Sequence, residues 1–180
     1  ERPDGTLTST YSDDDAQFTG YNRYAPWSGG LQLNATWRGL SLNATFSGVF
    51  GKYLINNDKF FLENPNFIDE ANVTTNLFNI WTKPGDVTDI PGVQYPVEFS
   101  SRFIENASFV RLKNLQISYS LPQHLLDKTG FMSGLRLYAI GRNLLTFTNY
   151  SGIDPEVDSN LTLGAYPNTK QYSVGIEITF

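Results

Sequence analysis

Hydrophobic and polar residues alternate one by one along several stretches of this chain. Leu31, Leu33, Ala35 and Trp37 hold one parity, and Gln32, Asn34 and Thr36 hold the other. Successive strand side chains point to opposite faces, so this period of two predicts a strand with one apolar face. Arg38-Gly39 marks a tight turn. The alternation then resumes. Leu40, Leu42, Ala44, Phe46, Gly48 and Phe50 oppose Ser41, Asn43, Thr45 and Ser47, and only Val49 breaks the rule. A hairpin of two long strands is predicted over 30–37 and 40–50. A third strand is predicted over 109–121. Its second half is regular, with Leu115, Ile117, Tyr119 and Leu121 against Gln116, Ser118 and Ser120. Its first half, Val110 to Asn114, is out of phase, which a β-bulge explains. Leu135, Leu137 and Ala139 open a fourth strand over 135–147. A fifth spans 171–180, where Tyr172, Val174, Ile176, Ile178 and Phe180 alternate with Gln171, Ser173, Gly175, Glu177 and Thr179.

The connections alternate in length. Residues 38–39 and 122–134 are short to medium, the latter with one helical turn at His124-Leu125-Leu126-Asp127. Residues 51–105 and 149–170 are long, and residues 1–28 read as a polar loop. In an antiparallel meander, successive connections fall at opposite ends of the strands. All the long loops therefore gather at one end. Outer-membrane barrels share this asymmetry, with apolar-out and polar-in alternation. A soluble β-sandwich also predicts period-two strands. Loop asymmetry and a polar face of Ser, Thr, Asn and Gln rather than Lys and Glu favour the barrel. Five strands cannot close one, since the smallest have about eight. The expected fold class is thus all-β: about five C-terminal strands of a large antiparallel transmembrane β-barrel, residues 1–180 forming one partial barrel domain. The chain opens on Glu1 without a Met or a secretory signal, and reads as a piece of something longer.

Composition narrows the function. At 40% hydrophobic, 14% aromatic and 17% charged, the chain is too apolar to be disordered. A net charge of −5 disfavours a nucleic-acid surface. With no cysteine and a single histidine, His124, thiolate metal sites and cysteine catalysis are excluded and a Ser-His-Asp enzyme has one position to use. His124 follows Pro122 and reads as an exposed turn residue. No apolar run is long enough for a membrane helix, which leaves a β-barrel open.

Asp154, Glu156, Asp158 and Asn160 have the spacing of alternate calcium ligands. The stretch lacks the sixth-position glycine of an EF-hand loop, which is Ser159 here, and its twelfth-position glutamate. It reads as ordinary loop, as does the acidic run Asp13-Asp14-Asp15. Asp154 and Glu156 stand too close in sequence for a glycosidase pair. Six Asn-x-Ser/Thr sequons, at Asn34, Asn43, Asn72, Asn106, Asn149 and Asn160, follow from the composition. Trp27, Trp81, Tyr21, Tyr24, Tyr95, Phe60 and Phe61 are placed on the long loops, where aromatics staple the loop or stack on a sugar or a partner. Arg102, Arg111, Arg136 and Arg142 are candidates for the polar face, paired with acids or touching a ligand. No cofactor, metal or catalytic residue is expected. A secreted carbohydrate-binding sandwich is the competing reading, and a β-rich glycosidase a third.

The stretch Asn106-Ala-Ser-Phe-Val-Arg-Leu-Lys-Asn-Leu-Gln-Ile-Ser-Tyr-Ser-Leu-Pro122 resembles the SusC/RagA family. So do Leu135-Arg-Leu-Tyr, Gly141-Arg-Asn-Leu-Leu-Thr-Phe-Thr-Asn-Tyr-Ser-Gly-Ile-Asp-Pro-Glu-Val157, Tyr166-Pro, and Tyr172-Ser-Val-Gly-Ile-Glu-Ile-Thr-Phe180. Upstream, Tyr24-Ala-Pro-Trp27 and Gly51-Lys-Tyr-Leu-Ile-Asn-Asn57 are similar to a subset of it. The resemblance implies a TonB-dependent outer-membrane transporter of Bacteroidetes, importing oligosaccharides or peptides by gated passage through its barrel. It implies a plug domain inside that barrel, a SusD-like lipoprotein as lid and energy through TonB. Under it, Trp27, Trp81, Tyr95, Arg102 and Arg142 become candidates for substrate or lid contact. Phe180 becomes the terminal aromatic signal read by the barrel-assembly machinery.

Overall fold

The computed structural model describes residues 12–95, 97–157, 159, 164 and 166–180. Five strands form one antiparallel sheet: β1 (Trp27–Trp37), β2 (Leu40–Phe50), β5 (Phe109–Ser120), β6 (Gly134–Thr148) and β7 (Gln171–Thr179), side by side in that order. The segment between β2 and β5, read from sequence as loop, carries β3 (Tyr53–Ile55), α1 (Asn57–Leu62) and β4 (Ile104–Asn106). The connector after β5 carries the helical turn α2 (Gln123–Leu126). β1 starts three residues earlier than the alternation indicates. Ser28, Gly29 and Gly30 carry no apolar-polar contrast, yet they pair with Val49, Gly48 and Ser47.

Arg38 and Gly39 both have positive φ, 47° and 85°. That is the mirror-image turn whose twist matches two antiparallel strands. It sets the register, since Trp37 faces Leu40 and Leu31 faces Phe46. Carried across β5, β6 and β7, the same register puts apolar residues on one side. One row runs Leu31, Phe46, Leu112 and Leu145, and another runs Ala35, Leu42, Ile117, Ala139 and Val174. The other side holds Asn34, Asn43, Gln116 and Ile140 in one row and Gln32, Thr45, Asn114 and Arg142 in the next. Asn43 donates its amide to Asn34 across that face.

The predicted irregularity in β5 is present. Thr45 pairs with Asn114 but Phe46 pairs with Leu112, which leaves Lys113 as the extra residue of a bulge. Opposite it, β6 passes Asn143 and Leu144 without partners, with Asn143 at φ 52°. Both strands thereby keep Arg111 and Arg142 on the polar side and Leu112 and Leu145 on the apolar side.

The apolar side is exposed. Trp37 is 68% accessible, Leu145 52% and Ile176 65%. Aromatics bracket it: Trp27, Phe50 and Phe147 toward one end, Trp37, Tyr119 and Phe180 toward the other. The ten steps along an eleven-residue strand, as in β1 and β2, extend roughly 34 Å at about 3.4 Å per step. Tilted by about 40°, that projects to about 25 Å, the height of the apolar band of a membrane barrel.

Connections sort by end. Ser120 N donates to Gly39 O at 2.9 Å, and Ser133 N to Thr179 O at 2.8 Å. The 38–39 turn, the 121–133 connector and the end of β7 therefore share one end. Segments 51–108 and 149–170 share the other. A Cβ on Gly39 would stand 2.6 Å from the Ser120 carbonyl oxygen, at a φ that L-residues rarely adopt. In a folded transporter carrying this segment, Gly39→Ala should cost about 1–3 kcal/mol. Arg38→Gly, which relieves a positive φ, should be neutral or stabilising. Urea midpoints in detergent micelles compare the two.

Candidate functional site

The long-loop end carries a folded cap. Its two stems meet at the sheet: Ala107 N donates to Lys52 O at 2.8 Å, β3 pairs with β4, and Asn56 N donates to Phe103 O at 2.8 Å. Gly51 N donates to Ser108 Oγ at 2.9 Å beneath them. Asn56 caps α1 by accepting from Lys59 N at 3.0 Å. α1 directs Phe60 inward, where it stacks on Phe99 at 4.6 Å and meets Phe103 edge-on at 5.5 Å. Phe103 and Leu54 are fully buried. Glu63 is buried beside this cluster and holds Arg102 at 2.6 Å and the Asn76 amide at 2.7 Å.

The 149–157 stretch is fastened to the cap. Tyr150 is buried with Leu54 and Ala107. Glu105 accepts from Ser151 N at 2.9 Å and from its hydroxyl at 2.8 Å. Lys52 Nζ donates to the carbonyls of Pro155 at 2.9 Å and Val157 at 2.7 Å.

A charged clasp joins the same stretch to the sheet. Arg111, on the polar face of β5, donates to Asp154 Oδ1 and to Glu156 Oε2, each at 2.6 Å, and to Thr146 Oγ1 at 2.9 Å. Its side chain is 4% exposed and that of Asp154 5%. The bulge brings Lys113 onto Glu156 as well. Asn168, just before β7, donates its backbone N–H to Asp154 Oδ2 at 2.8 Å and its amide to Glu156 at 3.0 Å. Burial raises the Asp154 pKa, but hydrogen bonds from Arg111, Asn168 N and Glu156 N outweigh it and hold the carboxyl below its ordinary value. Every acid here is engaged by a cation or an amide. The arrangement fixes loop to wall and presents no nucleophile–base pair among the described residues.

The sequence-derived candidates do not converge. Trp27 is the first residue of β1, in register with Phe50 on the apolar side, rather than a loop residue. Trp81 and Tyr95 do meet, edge to face at 5.9 Å on the cap, where Tyr95 is exposed. Arg102 belongs to the cap interior through Glu63. Arg142 is exposed on the polar face, between Asn114 and Gln171, and its side chain has no hydrogen bond or ion pair among the described residues. Phe180 stacks near Phe131 at 6.2 Å at the opposite end. Asp158 and Asn160 of the calcium-like spacing lie outside the described residues, while its Asp154 and Glu156 are committed to the clasp. His124 is exposed on α2. Arg111 is paired with acids on the polar face, as its place in the pattern suggests. Its partners, Asp154 and Glu156, and the part of Lys113 were not legible in sequence.

No family model matches the chain. The chain is 39% identical over 123 residues to TonB-dependent receptor P3 of Formosa agariphila, covering 61% of this chain and 12% of that one. It is 35% identical over 81 residues to TonB-dependent receptor SusC of Bacteroides thetaiotaomicron, covering 45% of this chain and 8% of that one. Among solved structures, the RagAB peptide importer in its open-open state matches over 100% of this chain and 20% of its own, with a TM-score of 0.90 and 41% identity. The chain thus spans only a fraction of the length of each relative.

Because folding lowers the Asp154 pKa, the clasp contributes fully above the unfolded carboxyl value of about 3.9 and is lost as pH falls through the lower folded value. A nitroxide label at Ile153 should be immobile at pH 7 and gain mobility only below about pH 4. Arg111→Met leaves Asp154 buried without its cation and should weaken the attachment by about 3–5 kcal/mol. The same label would then be mobile at neutral pH.

Proposed function

We propose, from the premise that this chain is a C-terminal segment of a SusC/RagA-like TonB-dependent transporter, that it supplies five barrel strands and part of the mouth of a nutrient importer in the bacterial outer membrane. The observation that carries this reading is the pairing of an exposed apolar face, bracketed by aromatics, with a polar face of mostly amides and hydroxyls that leads up to a folded cap. A sandwich would cover that apolar face with a second sheet, and the described residues provide none. The apolar face meets lipid, and the polar face lines the lumen.

In this reading the protein is a transporter and not an enzyme. The rest of the barrel pairs with the free edges of β1 and β7, because unpaired backbone in hydrocarbon costs several kcal/mol per group. A plug domain fills the lumen, and TonB acts through it from the segment N-terminal to this one. A SusD-like lipoprotein closes the mouth as a lid. Tyr95, exposed on the cap, and the half-buried Trp81 that it meets are the residues proposed to touch that lid. Arg142 is the residue proposed to touch substrate, since it alone of the candidate arginines is exposed without a described partner. Arg102 acts within the cap, and Trp27 anchors the barrel at the membrane interface. The substrate is an oligosaccharide or a peptide; the relative with a solved structure is a peptide importer. Phe180 serves the barrel-assembly machinery as terminal aromatic.

Fractionation of native membranes tests the placement. The chain is 20.2 kDa and spans a fifth of its structural relative, so it should run in the outer-membrane fraction as part of a heat-modifiable species of about 100 kDa. A soluble 20.2 kDa species would overturn it. Trp81→Ala with Tyr95→Ala should weaken lipoprotein retention by tenfold or more, as loss of one interface hot spot of about 2 kcal/mol would. Arg142→Ala should lower uptake and leave retention unchanged. Binding of labelled peptides and oligosaccharides to the detergent-purified complex identifies the substrate class.

A further inference from the structure

The polar face carries three arginines on its described strands, and they differ in what holds them. Arg111 is taken by Asp154 and Glu156, and Arg136 stands 3.8 Å from Glu177. The Arg142 side chain has no partner among the described residues. Both strands that flank it belong to this chain, so its lateral surroundings are fixed. Asn114 of β5 is its register partner on one side and Gln171 of β7 on the other. Directly opposed residues of neighbouring strands hold their Cβ atoms about 4.5–5.5 Å apart. A guanidinium and two primary amides therefore form one cluster of donors. No carboxylate of the described residues is free to neutralise it. Toward the long loops, Asp154 and Glu156 are consumed by Arg111, Lys113 and Asn168. Toward the short turns, Glu177 lies six residues beyond Gln171 on β7, roughly 20 Å at about 3.4 Å per residue. We infer that Arg142, flanked by Asn114 and Gln171, determines specificity by binding a carboxylate of an imported peptide.

The chemistry of the cluster specifies this group. A guanidinium presents a planar fork of N–H donors that matches the two oxygens of a carboxylate. The Asn and Gln amides each carry a donor and an acceptor. They can support the bound carboxylate and pair with the peptide group next to it. Thr45 and Gln32 continue the same row across β2 and β1, offering further polar partners to an extended chain. A sugar would want an aromatic ring to stack on. The row of Arg142 has none, and neither has the next row toward the short turns, which runs Asn34, Asn43, Gln116, Ile140 and Ser173. The inference rests on the transporter reading and adds to it the group that a substrate must carry.

Equilibrium binding to the complete transporter, purified in detergent with its lipoprotein, tests it. The probe is a pool of dansyl-labelled peptides without Asp or Glu, prepared once with a free C-terminal carboxylate and once as the C-terminal amide. The acid form should bind wild-type protein about tenfold tighter, the scale of one charge-assisted hydrogen bond. Arg142→Gln should bring the acid form down to the affinity of the amide form and leave the amide form unchanged. Arg142→Lys, which keeps the charge and loses the fork, should retain part of the difference. Acid and amide forms that bind wild-type protein equally or not at all would overturn the proposal. So would an Arg142→Gln variant that weakens both forms alike, or a structure of the complete transporter with Arg142 paired to a plug carboxylate. Uronic-acid oligosaccharides that lose affinity in Arg142→Gln while the peptides keep theirs would overturn the assignment to peptides. A wild-type protein absent from the outer membrane, or without heat modifiability, would count against the transporter reading instead.

Discussion

In a layer without water, every backbone N–H and C=O must find a partner in the chain, and every side chain must choose a face. The architecture of this chain follows from those two demands acting together. Hydrogen-bonded ladders run from β1 to β7, interrupted at the bulge in β5 and the facing residues of β6. The side chains above and below them sort into one hydrocarbon surface and one surface of amides, hydroxyls and charges. The apolar face is therefore not a core in the usual sense. The core of the chain, around Phe103, Leu54, Ala107 and Tyr150, lies in the cap, where water returns as a solvent and hydrophobic burial can act.

The bulge in β5 shows how strictly the second demand is obeyed. Had Lys113 been paired in regular alternation, Arg111 would have turned toward the apolar side. A cation there costs about 0–1 kcal/mol near the interface, where Arg111 lies, and roughly 2–4 kcal/mol at the bilayer midplane. The bulge avoids that placement. It also places Arg111 and Lys113 on the same side as Asp154 and Glu156, so the irregularity that keeps charge out of lipid also builds the clasp.

How much of this was legible in sequence depended on the range of the interaction. The 40–50 strand and β7 could be read directly because two-residue alternation is local. The bulge was readable because Arg111 and Leu112 broke phase. The start of β1 was not, since Ser28, Gly29 and Gly30 pair through backbone alone, and Trp27 was accordingly assigned to a loop. The cap was illegible for another reason. β3 and β4 have three residues each and pair as far apart in sequence as Tyr53 and Asn106, while α1, at six residues, is too short to show a helical period. The clasp joins residues 43 apart, and nothing within either segment names the other. Of the residues chosen as candidate contacts, Trp81 and Tyr95 meet in space, Arg142 is exposed, and Arg102 is tied up inside the cap.

The stems of that cap have an architectural consequence. The chain leaves the wall at Lys52 and returns at Ala107, and those two residues share a hydrogen bond. The excursion between them joins the wall at a junction scarcely wider than a hairpin turn and is braced on one side by the 149–157 stretch, through Glu105 and Tyr150. Closing a longer excursion adds only about 0.6 kcal/mol per doubling of its length, and the register of β2 against β5 is set below the junction. The strand register is therefore insensitive to the length of what is suspended there. Such a junction is a natural exchange point, at which a whole loop module, together with the 149–157 stretch that packs on it, can be swapped between related barrels while the part that crosses the membrane stays as it is.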